Sequence, residues 1–130
     1  MAKAVRSSVE VIGVQSEAAP AAYRSWQAGA LVEDTTSTFA EGLATRTAFE
    51  LPQRILRERL DDFVLVSDDE LAAATRLMIE KTRNLVEPAG AAALAAVLRF
   101  PQRFAGRKVA IICSGGNISP AQLTALWPAT

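Results

Sequence analysis

The stretch Ile111-Ile112-Cys113-Ser114-Gly115-Gly116-Asn117-Ile118-Ser119 concentrates the chemistry-bearing side chains of this sequence. Ser114 offers a hydroxyl that can donate or accept, and Asn117 an amide with both functions. Gly115 and Gly116 between them permit positive φ and remove side chains, so that a backbone or a flat ring can approach. The residues alone leave a second reading open, an ordinary strand-to-helix turn in which Asn117 and Ser119 cap whatever follows Pro120. The rest of the chain narrows the chemistry sharply. With no histidine and a single cysteine, Cys113, it cannot build a His/Cys zinc site, a disulfide framework, or a Ser-His or Cys-His nucleophilic pair. Cys113 ends an apolar run and is expected to be a buried, inert thiol.

Composition bounds the partners. The chain has 130 residues, half of them hydrophobic, with 14 basic and 14 acidic side chains. That is the size of one globular α/β domain, spanning residues 1–130. A balanced charge with no Lys/Arg cluster interleaved with aromatics gives no field for gathering phosphates, so nucleic acid is not an expected partner. Apolar runs are broken well before the roughly 20 residues a membrane span needs, and MAKAVRSSVE has no signal-peptide core. A small-molecule ligand and a cytoplasmic location are expected.

The elements that must position the serine alternate along the chain. Val9–Val14, Phe63–Val66 and Val109–Cys113 read as buried strands rich in branched residues. Ser67-Asp68-Asp69-Glu70 is a capping box, with Val66 and Leu71 placed as a hydrophobic staple. The helix it opens carries Leu71, Ala74, Thr75, Met78, Ile79, Thr82, Leu85 and Val86 as one apolar stripe. Further helices are expected over Ala18–Ala28 and Pro52–Leu60. Pro88 stops the long helix and starts the alanine-rich Ala89–Leu98. Strands alternating with helices predict an open three-layer α/β sheet with buried, mainly parallel strands. Ligands bind such sheets beyond the carboxyl ends of the strands, where both VIGVQSEAAP and IICSGGNIS place small and polar residues.

In order and approximate spacing, EVIGVQSE, FAEGLATRT, DDFVLVSDDEL, LVEPAGAAALAAV and VAIICSGGNIS resemble the threonine/serine dehydratases, the fold-type-II pyridoxal-phosphate enzymes that include serine racemase. The resemblance covers nearly the whole chain, and EPAGAAALAA followed by CSGGN is its most specific part. It implies pyridoxal 5′-phosphate as the cofactor of a full-length parent, with Ser114 facing the pyridine nitrogen. It places Gly115, Gly116 and Asn117 in the pocket floor, Glu87 and Gly90 near the cofactor's other edge, and Glu41-Gly42 beside the ring. For Glu87 a solvated helix boundary, and for Glu41-Gly42 a plain turn, stand as alternatives. A neutral hydroxyl hydrogen-bonds the ring nitrogen without enforcing its charge, as a carboxylate would. The implied reaction removes the α-proton and β-hydroxyl of serine or threonine, releasing ammonia and leaving a 2-oxo acid.

The sequence also departs from that family. The lysine that carries the cofactor, in a Ser-x-Lys-x-Arg-Gly segment, and the glycine-rich phosphate loop both belong to a part of the family's length not matched here. Lys3, Lys81 and Lys108 have no matching context. The chain therefore reads as the C-terminal part of a dehydratase beginning at an internal methionine, with no catalytic residue of its own, inactive alone and binding no cofactor stably. Where some relatives hold a divalent cation with a glutamate and an aspartate, this chain has Gln15 and Ala21, and no metal is expected. Cut from a larger sheet, it is expected to form homo-oligomers through Val9–Val14 or the helix after Pro88. Two other classes remain open: a non-catalytic interaction module derived from the same fold, and a nucleotide-type binder, although G-G-N lacks the glycine patterns that cradle phosphates.

Overall fold

The computed structural model describes residues 2–127. In chain order the elements are α1 Ala2–Val5, β1 Ile12–Ser16, α2 Ala21–Ala28, a 3₁₀ turn at Glu41–Leu43, α3 Glu50–Arg59, β2 Asp62–Val66 and α4 Asp68–Thr82. A 3₁₀ turn at Ala89–Ala91, α5 Ala92–Arg99, α6 Pro101–Phe104 and α7 Pro120–Leu126 complete them. β1 and β2 pair in parallel with Gly13 opposite Phe63 and Val14 opposite Val64. The alternation of strand side chains divides the layers. Val14, Val64 and Val66 join the core shared with α4 and α5, whereas Phe63 points to α2, where it meets Tyr23 and Trp26 edge-on at 5.8 and 6.1 Å between ring centroids. Gly13 has no room for a side chain, since a Cβ there would lie 2.9 Å from the Phe63 ring. Helices thus cover both faces, the three-layer arrangement expected of buried parallel strands.

α4 begins as its sequence dictates. The Ser67 hydroxyl accepts from the Glu70 N–H, and the Glu70 carboxylate accepts from the Ser67 N–H at 2.7 Å. Of its stripe, Leu71, Ala74, Thr75 and Met78 are buried. The helix ends at Thr82, earlier than the stripe implies, because Arg83 adopts a left-handed cap; Leu85 is exposed and Val86 buries itself from the following loop. Ala91, Ala92, Ala95 and Ala96 line the face of α5 and its leading turn that meets α4, so the core is made largely by close approach of small side chains.

Two expectations are corrected. Val109–Cys113 is not a strand of the sheet: among the described residues it forms no ladder, and the sheet has two strands. Apolar, branched composition makes a segment a strand only when a neighbouring strand accepts its hydrogen bonds, and this segment lines the same cleft as β1 without pairing to it. For the same reason Cys113 is exposed rather than buried.

At the amino ends of the strands, charge does the fastening. Glu10 accepts from Arg103 at 2.6 Å and Arg107 at 2.5 Å, Arg103 also pairs with Asp62, and Lys3 donates to Asp61 at 2.5 Å. The Arg103 and Arg107 guanidinium groups hold the Glu10 carboxyl below its usual range; Lys3, then the Val11 N–H, does the same for Asp61. A carboxyl lowered in the folded state stabilises the fold above its unfolded pKa, and that contribution is lost as pH falls through the folded value. Thermal stability should therefore drop on acidification below about pH 4. Arg103→Ala should lower stability at neutral pH and flatten that acid limb. An unchanged acid limb in Arg103→Ala would show that the clamp contributes nothing.

Candidate functional site

The site is assembled at the carboxyl end of β1 and β2 by a half-buried carboxylate. Asp68, the first residue of α4, accepts from the Ser16 hydroxyl at 2.8 Å, the Thr38 hydroxyl at 2.7 Å and the Phe39 N–H at 3.1 Å. Ser16 in turn accepts from the Ala18 N–H, and Thr38 from the Ala40 N–H. These bonds fix the loop after residue 37 against the strand ends and deliver the turn Glu41–Leu43 to the neighbouring segments.

Three segments meet there. A Cβ on Gly42 would lie 2.7 Å from the Ala89 methyl, so the 41–43 turn abuts the EPAG segment. The Glu87 N–H donates to the Gly115 carbonyl at 3.2 Å. A Cβ on Gly90 would fall 2.7 Å from that carbonyl oxygen, one on Gly116 2.5 Å from the Leu85 carbonyl oxygen, and one on Gly115 would collide with the Glu87 carboxylate. Gly90 and Gly116 are thus required by close approach to backbone oxygens, whereas a methyl on Gly115 would meet only the movable end of the Glu87 side chain. Neither Gly115 nor Gly116 has a positive φ, contrary to the freedom their pairing suggests; only Gly29, Gly106 and Arg83 do among the described residues. Glu41 accepts from Gln122 Nε2 at 3.0 Å. Gln122 also closes a capping box with Ser119 at the start of α7, so Ser119 caps the helix after Pro120 as the turn reading proposes.

Of the residues singled out from sequence, Glu41, Gly42, Glu87, Gly90, Gly115 and Gly116 are brought into this junction, with Ser114 and Asn117 flanking the glycines. Ser114 and Asn117 are exposed, and among the described residues neither side chain hydrogen-bonds within the chain. Glu87 is half-buried against Gly115 rather than free in solvent. Sequence reasoning missed Asp68, visible only as part of a helix cap, and Gln122, whose partner lies 81 residues away. A cleft of about 590 Å³ includes none of these residues and lies along β1 instead.

The metal-ligand positions have other occupations. Gln15 is buried, its Oε1 accepting from the Tyr23 N–H at 2.9 Å at the start of α2, and Glu17 pairs with Arg99 at 2.6 Å. The lysines also lie in other surroundings: Lys3 is bound to Asp61 at the amino end of the sheet, Lys108 lines the cleft with Arg6 and Ser8, and Lys81 is exposed in the last turn of α4.

The chain folds as a piece of the fold-type-II pyridoxal-phosphate enzymes. Residues 1–115 match the family model described as pyridoxal-phosphate dependent enzyme, and the chain belongs to that family. It is 38% identical over 107 residues to an L-threo-3-hydroxyaspartate ammonia-lyase of Pseudomonas sp, covering 82% of this chain and 34% of that protein. It is also 38% identical over 122 residues to the L-threonine ammonia-lyase of Geobacter sulfurreducens, covering 91% and 30%. Among solved structures, the T.th. threonine deaminase matches with a TM-score of 0.83 at 39% identity, over 90% of this chain and 40% of that one. The serine racemase of Dictyostelium discoideum matches at 0.81 and 34%, over 91% and 38%. The chain spans about a third of the length of the curated relatives it matches.

Proposed function

We propose that the chain is the C-terminal part of a pyridoxal-phosphate-dependent threonine/serine ammonia-lyase and supplies the ring-nitrogen side of its site. The convergence of 41–43, 85–90 and 114–117, with the Ser114 hydroxyl left unclaimed beside two glycines, carries this reading. The donor set fits the cofactor: a neutral hydroxyl suits a pyridine nitrogen. When bound, the cofactor supplies an electron sink for the amino acid's α-carbon. Ser114 would donate or accept one hydrogen bond at the nitrogen, Asn117 would contribute an amide to the pocket floor, and Glu87 and Glu41-Gly42 would border the ring. The overall reaction converts a hydroxy amino acid to a 2-oxo acid and ammonia.

The remaining parts of the reading follow from the same residues. The amide of Gln15, occupied in capping α2, is a poor ligand for a hard cation, so the site takes no metal. A small-molecule amino acid is the partner, with no nucleic acid. No helix among the described residues is long and apolar enough to cross a membrane, and a lone free cysteine suits a reducing, cytoplasmic setting. Exposed Phe49, Leu51 and Ile55 around α3 and Ile112 favour homo-oligomers. A free-standing interaction module accounts less well for Gly90 and Gly116, which stand where only glycine fits.

Titration of the chain alone with pyridoxal phosphate tests the division of labour. With Lys3 paired to Asp61, and the family's lysine segment and phosphate loop outside its sequence, the chain should give no saturable visible band and release no ammonia from serine or threonine. A saturable band lost on changing Lys3, Lys81 or Lys108 would contradict it.

A further inference from the structure

The Ser16–Asp68 bond, which anchors the loop after residue 37, is bracketed in sequence by two acids that share one cation. Arg99, the last residue of α5, donates through a single nitrogen, Nη1, to Glu17 Oε1 at 2.6 Å and to Glu70 Oε2 at 2.9 Å. Glu17 follows Ser16, and its N–H donates to the Val66 carbonyl at 2.9 Å, which keeps it at the carboxyl ends of both strands. Glu70 lies two residues past Asp68, and the oxygen that meets Arg99 also accepts from the Ser67 N–H in the α4 cap. The Phe100 ring, its centroid 5.4 Å from the guanidinium carbon, restrains Arg99 by a cation–π contact. The first turn of α4 carries Asp68, Asp69 and Glu70. Among the described residues no Lys or Arg other than Arg99 forms an ion pair with these three or with Glu17.

We infer that Arg99 is a positioning residue for the strand-end junction: by neutralising Glu17 and Glu70 together it keeps Ser16 bonded to Asp68 and so holds residues 38–43 against the glycine segments. Both carboxylates reach the same nitrogen, so without Arg99 they face one another as like charges. Glu70 is tied down by its bond in the helix cap, and the repulsion therefore falls on Glu17 and on the neighbouring Ser16, whose hydroxyl holds Asp68. One exposed ion pair shifts a local equilibrium by up to about fivefold. Here a single loss removes two pairs and leaves opposed charges behind. The inference rests on the hydrogen bonds of this chain and stands apart from the proposed reaction.

Residue-resolved amide exchange of the 130-residue chain tests it at about 0.01 M and about 1 M salt, where charges are screened over about 30 and 3 Å. The reporters are the amides at 38–44, among them Phe39, bonded to Asp68, and Leu43 and Ala44 in the turn. Arg99→Met keeps the alkyl stem and removes the charge. At the lower salt it should speed exchange at 38–44 by about fivefold beyond the change in global stability, which urea unfolding measures. At the higher salt that excess should shrink to less than about twofold. Adding Glu17→Gln to Arg99→Met removes one of the opposed charges and should restore slow exchange, and Arg99→Lys should stay near the unmodified chain. A residue that merely packs the end of α5 would respond to neither salt nor Glu17→Gln. Should Arg99→Met fail to fold, Glu17→Gln alone, with the Arg99–Glu70 bond intact, should speed exchange at 38–44 by about twofold at the lower salt only. The inference is overturned by uniform acceleration along the chain in Arg99→Met, by an excess at 38–44 that is equal at both salts, or by no restoration with Glu17→Gln. Arg99→Lys as impaired as Arg99→Met, or Glu17→Gln alone without effect at 38–44, would also overturn it.

Discussion

Asp68→Ala should destabilise the chain by about 2–4 kcal/mol, as expected when one acceptor serving several donors is lost and a buried hydroxyl is left unpaired. Ser16 is fully buried and donates to Asp68, and the carboxylate also gathers the Thr38 hydroxyl and the Phe39 N–H. Thr38→Val removes one donor and should cost about 1 kcal/mol. Because Phe39 leads directly into the Glu41–Leu43 turn, Asp68→Ala should also speed amide exchange across residues 38–44 beyond what global destabilisation explains. Urea unfolding with residue-resolved exchange measures both. A loss below about 0.5 kcal/mol, the level of an ordinary surface change, would mean that the loop is held by other contacts.

The second large effect is expected where the glycines meet. Ala is ordinarily the better residue in a helical turn by about 1 kcal/mol, which favours Gly90→Ala. Against that, the added methyl would sit 2.7 Å from the Gly115 carbonyl oxygen, a backbone atom that cannot turn aside. Overpacking of this kind costs about 1–3 kcal/mol, so Gly90→Ala should be net destabilising, and Gly116→Ala against the Leu85 carbonyl more so. Gly115→Ala is the informative contrast. Its methyl meets only the Glu87 carboxylate, the movable end of a side chain, and should cost less stability while displacing Glu87. Chemical denaturation of the three variants gives the order. Stabilisation by Gly90→Ala would refute the close packing of the two segments.

Much of this arrangement was legible from sequence because it is local. The Ser67–Glu70 capping box, Pro88 as a boundary and the parallel pairing of the first two apolar runs each rest on residues a few positions apart or on a resemblance that spans them. Elements that depend on what lies opposite were not legible. Val109–Cys113 has a strand's composition, but the composition of a segment does not say whether a neighbour is present to bond it, and Cys113 is exposed for that reason. Asp68 appears in the sequence as one more acid in a helix's first turn; its partners at 16, 38 and 39 are joined to it only by the fold. The sequence offers two reasons for Gly115 and Gly116, positive φ and close approach; neither adopts positive φ, and the close approach comes from the Glu87 carboxylate and the Leu85 carbonyl lying where their Cβ atoms would be.

The central claim, that Ser114 serves the ring nitrogen in an ammonia-lyase, is tested most directly by joining this chain to the uncovered part of the T.th. threonine deaminase. Ammonia release from threonine and pyridoxal phosphate affinity are then measured with Ser114 intact, as S114A and as S114D. The intact hybrid should release ammonia with an equal amount of 2-oxo acid. S114A should bind the cofactor more weakly by about 1 kcal/mol, one hydrogen bond, and S114D, whose carboxylate favours a protonated nitrogen, should lose at least tenfold in elimination. Equal elimination rates and equal cofactor affinity in all three would contradict the account and leave Ser114 as part of a turn.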